Sequence, residues 1–140
     1  MKLTTGRFRK ILLAAALLSG ITGITAVQAQ DEGLTVMQIM QAIVAPMTNT
    51  IWGAYEIQTD AQWQELQNAA LTVIAAGSLL NQTGENAANA DWQEYNQQMI
   101  AAARAALTAI TDRDEEALFN AGNDQLYPPC ESCHQRYMAQ

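Results

Sequence analysis

Residues 59–80 read TDAQWQELQNAALTVIAAGSLL. Thr59, with Gln62 three residues on, has the form of a capping box, in which each side chain takes the other residue's backbone amide. Trp63, Leu66, Ala70, Val73, Gly77 and Leu80 then recur at spacings of 3 and 4. Those intervals line one face of an α-helix, whereas a half-buried strand alternates with period two. The stretch predicts a helix with one buried stripe, and that stripe needs other elements to cover it.

The flanking sequence supplies them. Thr35 and Gln38 form another capping box, with Leu34 and Ile39 placed for a hydrophobic staple. Met37, Met40, Val44, Met47 and Ile51 form the stripe of that first helix, and Pro46 inside it predicts a kink. After residue 80, NQTGENAANA is a polar loop with Gly84 as its breaker. A third helix is expected from near Asp91, with Trp92, Tyr95, Met99, Ala102, Ala106 and Ile110 inward. Asp112 and Glu115 are the expected cap of a fourth, with Leu118, Gly122 and Leu126 inward. Four helices on short connections predict an all-α fold, an antiparallel up-down-up-down four-helix bundle. No internal period suggests a stacked helical repeat.

Residues 1–29 read as a separate segment. Lys2, Arg7, Arg9 and Lys10 precede the apolar run ILLAAALLSGITGI, and Val27-Gln28-Ala29 places small residues at a signal peptidase site. A retained anchor is the alternative, but Ser19, Gly20, Thr22, Gly23 and Thr25 interrupt the run. Cleavage after Ala29 leaves one domain, 30–140, exported to the periplasm. That domain keeps three arginines against fourteen acids, a net charge of −11. Such a chain repels nucleic acid and anionic lipid, and a partner that recognises it by charge presents a basic face. Acidity that serves solubility alone accounts for the charge equally well.

Both cysteines and the single histidine fall within Cys130-Glu131-Ser132-Cys133-His134. A structural zinc site wants four ligands, usually two separated pairs, and no other Cys or His completes the set. A thioredoxin-type pair goes with a βαβ pattern, which is missing. A disulfide across two residues closes too small a loop to stabilise anything. Cys-x-x-Cys-His is instead the c-type haem signature: two thiols bond the haem vinyl groups and the histidine ligates iron. On a helix Cys130 and His134 share a face, with Cys133 beside them.

Only Gln135 to Gln140 follow the histidine, and Met138 lies on its own helical face. A sixth iron ligand is therefore expected from upstream. In an up-down-up-down bundle the end of the fourth helix lies beside the start of the first, which carries Met37 and Met40. Met47 lies about 10 Å beyond Met40 along the axis at 1.5 Å per residue. Met40 is the expected distal ligand and Met37 the alternative. Met47 and Met99, the latter placed away from the haem end, are expected to be core filler, the commoner role of methionines at helical spacing.

With these residues in view, the mature chain resembles the class II c-type cytochromes, the cytochrome c-prime family and its low-spin, methionine-ligated relatives. The resemblance covers four helices, Cys130-x-x-Cys133-His134 followed by an aromatic at Tyr137, and a first helix bearing Met40-Gln41-Ala42-Ile43. It implies an exported four-helix bundle with one covalent haem c, a distal residue from the first helix and, often, a homodimer. Two departures stand out. The position where many members carry a propionate-binding arginine is Val36, so Arg136 is the substitute propionate contact, with a solvated surface role as its alternative. Pro128 and Pro129 also precede Cys130, so the last helix is expected to break or kink there and restart. The leading expectation is a periplasmic electron carrier with His134/Met40 ligation and no enzymatic activity. A five-coordinate protein binding nitric oxide or carbon monoxide is the second reading, and a haem-free helical interaction protein the third.

Overall fold

The computed structural model describes residues 33–138, which are helical with no strand among them. The signal segment expected over residues 1–29 lies outside the described residues. Helix α1 runs as Val36–Ile39, a π-helical turn Met40–Val44 and Ala45–Trp52. Helix α2 is Asp60–Leu80 and α3 is Ala90–Asp112. Helix α4 runs as Glu115–Asn120, a π-helical turn Ala121–Leu126 and Tyr127–Tyr137. The four pack as a helical bundle around one shared apolar core.

Local chemistry fixes the helix starts. Both expected capping boxes are present: the Thr35 and Thr59 hydroxyls accept from the Gln38 and Gln62 amides, and each glutamine side chain accepts from the capping residue's own amide. The cap of α4 differs from expectation. Asp112 is still helical and ends α3, Arg113 turns left-handed at φ 55°, and Asp114 Oδ1 accepts from the Ala117 amide. A capping residue needs extended backbone, which Asp114 has and Asp112 lacks. Gly84 takes φ +84° in the loop before α3, a conformation glycine adopts without a side-chain penalty.

All six residues of the α2 stripe are buried. On α3 the stripe is buried except for a half-buried Tyr95, and Asn96 joins it. Helix α1 departs further. Its buried residues are Ile39, Val44, Thr48 and Ile51, while Met40 and Met47 are half-buried and Met37 is 59% exposed. Leu34 also remains 49% exposed, so it contributes little as a staple. Ile39 and Val44 are five residues apart because the π turn lies between them, and that extra residue changes the phase of the stripe.

The prolines account for both π turns. A proline in a regular α-helix loses one hydrogen bond, and its ring strikes the carbonyl four residues back. Here the residue before each proline site donates five residues back instead: Ala45 to Met40 O, and Tyr127 to Gly122 O. The wider turn moves the obstructing carbonyl off the ring's path. Consequently α4 does not break and restart at Pro128-Pro129 but runs continuously from Glu115 to Tyr137.

Polar contacts tie the helix ends together. Arg113 at the end of α3 pairs with Asp60 at the start of α2 at 2.6 Å. Trp52 Nε1 donates to Gly122 O in the second π turn at 2.9 Å, with Tyr127 edge-on to its ring. Between α2 and α3 the approach is close at Gly77, where a Cβ would lie 2.5 Å from Ile100 Cγ1. Gly77→Val is therefore expected to lower stability by about 1–3 kcal/mol through overpacking, read as a fall in Tm. Gly77→Ala should lose less, because alanine recovers about 1 kcal/mol of helix propensity.

Candidate functional site

A cavity of about 870 Å³ opens among α1, the 83–86 loop, α3 and α4. Its volume falls in the range of cofactor clefts, roughly 300–1,000 Å³. Of the residues expected at the site from sequence, all but Arg136 border it. Helix α4 contributes Cys130, Cys133 and His134, and α1 contributes Met37 and Met40. Val44, Trp52, Trp92 and Pro129 make much of the remaining surface apolar.

Continuity of α4 sets the first group. Because the helix passes unbroken through Pro129, Cys130, Cys133 and His134 lie within about one and a half turns of one continuous helix. Cys133 is buried and Cys130 partly so. Burial, with Cys133 adding to it, pushes the Cys130 thiol up to about 11. Burial and the nearby Asp91 carboxylate raise Cys133 as well. Burial thus disfavours the thiolate form at both sulfurs. Among the described residues, no group of three or more His, Cys, Asp or Glu side chains is arranged to hold a metal ion by itself.

Helix α3 clamps the end of α4. Tyr137 Oη donates to Asp91 Oδ1 at 2.7 Å, and Arg136 Nε donates to Asp91 Oδ2 at 3.1 Å. The Tyr137 hydrogen bond is the main reason the Asp91 carboxyl titrates below its ordinary value, with Arg136 adding to the effect. Desolvation and the same carboxylate raise Tyr137. The Tyr137 ring stands edge-on to Trp92 at 5.0 Å, and Trp92 Nε1 donates to Leu80 O at 2.9 Å. This chain of contacts anchors the turn that follows His134 to both α3 and α2. Arg136, the expected propionate contact, does not border the cavity and is engaged with Asp91.

The first helix supplies the facing thioethers unequally. Met40 opens the first π turn and packs half-buried against the core, whereas Met37 projects largely into solvent. The two methionines expected to be filler separate here. Met47 is half-buried beside α2, away from the cavity. Met99 is a core residue, 4% exposed, but it also borders the cavity, contrary to its expected placement away from that end. The cavity reaches deeper along α3 than the C-terminal turn of α4 alone implies.

Asn96 is the site residue that pattern reading passed over. It is 5% exposed and lines the cavity between Trp92 and Met99. Its position in the spacing Trp92, Asn96, Met99 was the available signal, a polar residue on a buried stripe. No family model, curated protein or solved structure matches this chain. Its function is therefore argued from its own site.

Proposed function

We propose that this chain is an exported c-type haem protein that carries electrons. One observation carries the reading: His134 from the last helix and Met40 from the first border a single cofactor-sized cavity, with both thiols on the histidine's helix. In this reading Cys130 and Cys133 each add S–H across a haem vinyl double bond. Sulfur bonds one carbon and the hydrogen passes to the other, so the step needs no oxidant. His134 and Met40 would be the residues that hold the haem iron, from α4 and α1 respectively.

The arrangement of the helices supports an antiparallel up-down-up-down bundle. Trp52 at the end of α1 meets Gly122 early in α4, while Met40 near the start of α1 shares the cavity with His134 near the end of α4. Asp91 at the start of α3 meets Tyr137 at the end of α4, and Arg113 at the end of α3 meets Asp60 at the start of α2.

Haem supplies an iron that cycles between ferrous and ferric states. The chain's part would be to hold that group with His134 and Met40, to exclude water with Val44, Trp92 and Met99, and to fix the turn after His134 through Asp91 and Tyr137. A thioether ligand raises the potential relative to a second nitrogen donor. The acidic surface matches a redox partner with a basic face.

Spectra of the purified protein in both oxidation states test the reading. Covalently retained haem with a low-spin ferric spectrum is the expected result. High-spin ferric haem would favour the gas-binding alternative, and protein free of haem the interaction-protein alternative.

A further inference from the structure

Most polar side chains bordering the cavity lie at its rim. Two are deeply buried, Thr48 at 2% exposure and Asn96 at 5%. The Thr48 hydroxyl is committed to Val44 O and Ala45 O at 3.0 and 3.2 Å. Asn96 is only half committed. Its Nδ2 donates to Trp92 O at 3.1 Å, which fixes the amide's orientation because a carbonyl can only accept. The second N–H and Oδ1 have no partner among the described residues.

Asn96 Oδ1 is not sealed from the open cavity, so filling the cavity would bury it and the free N–H, and a buried polar group left unpaired costs roughly 1–3 kcal/mol. A purely hydrocarbon occupant would leave that cost in place. The free N–H can donate to an ionised carboxylate, whereas Oδ1, itself an acceptor, is left for a water. Among the described residues no lysine or arginine borders the cavity, and Val36 and Glu85 are part of its lining. Arg136 is held by Asp91 outside it.

We infer that Asn96 is a binding residue for a carboxylate of the bound cofactor, donating its free Nδ2–H to that group. The inference rests on the haem reading, in which the two propionates are the ring's carboxylates. Asn96 then does as a neutral donor what a cationic side chain would otherwise do. Without it the carboxylate stands less compensated, which favours the ferric over the ferrous state.

Asn96→Leu and Asn96→Asp in the haem-loaded protein test this. Resonance Raman scattering is expected to show a shifted propionate bending band in both variants. The midpoint potential should fall, more in Asn96→Asp because it sets a second anion beside the first. The carbon monoxide stretch of the reduced complex is read in the same samples. An unchanged propionate band overturns the inference. A shifted carbon monoxide stretch with an unchanged propionate band would place the amide beside the iron instead. A parent protein without covalent haem would remove the haem reading itself, a result separate from either.

Discussion

Replacing Cys130 and Cys133 together with alanine is expected to abolish covalent haem retention. Acid–acetone extraction should remove all pigment from the double variant and none from the parent. The expectation is all-or-none because these are the only cysteines in the sequence, so no other side chain can make a thioether. Each single variant keeps one bond and should retain its haem through it. Stability should fall in step. The fold encloses about 870 Å³ lined by large apolar side chains, and a group bound only to the folded state stabilises it by mass action. The double variant should therefore melt at a lower temperature than the parent, and added haem should restore part of the difference. Parent protein that loses its pigment to acid–acetone would refute the attachment site.

Met40→Leu should convert low-spin haem to high-spin and open the iron to carbon monoxide. Leucine keeps the volume and the packing against the core while removing the sulfur. The reduced variant should bind carbon monoxide rapidly, whereas the parent binds it only as fast as the thioether leaves. Its potential should fall, since thioether ligation favours ferrous iron. Two further variants make the test specific. Met37→Leu is expected to change little, because Met37 lies mostly in solvent. Met99→Leu is expected to keep the low-spin spectrum, because Met99 is a core residue, 4% exposed, where its methyl lies beside the space a Cβ at Gly77 would take. Conversion in Met37→Leu or Met99→Leu rather than in Met40→Leu would transfer the ligand role. No change in any of the three, with high-spin iron in the parent, would establish the five-coordinate reading.

How far the sequence anticipated this structure depended on how local each feature is. Thr59–Gln62 and the stripe from Trp63 to Leu80 were legible because a capping box closes within four residues and a buried face repeats every turn. The convergence of Met40 and His134 on one cavity was legible at one remove, from the order of helices in a bundle. The two π turns were not. Pro46 and Pro128-Pro129 mark where a regular helix fails, but the remedy, a widened turn rather than a break, depends on room in the surrounding core. That one widened turn also explains why Ile39, five residues before Val44, took the buried place expected of Met40. The cap at Asp114 instead of Asp112 followed from a left-handed Arg113, a backbone choice that residue type does not announce. Asn96 was visible in sequence, but only the folded chain showed that it lines the cavity and that half of its amide is unused.

The paired π turns also bear on how this chain tolerates change in length. A π turn carries one residue more than the α turn it replaces, so α1 and α4 each hold a residue that adds no reach along the bundle. Proline and surplus residue are thus mutually dependent. Removing one residue from 40–44 while Pro46 remains would drive the ring into a carbonyl, whereas removing both features together would restore an ordinary α-helix. The same holds for 121–126 and the proline pair. A shortened homologue should therefore lack the proline wherever it lacks the extra residue, so that each loss predicts the other.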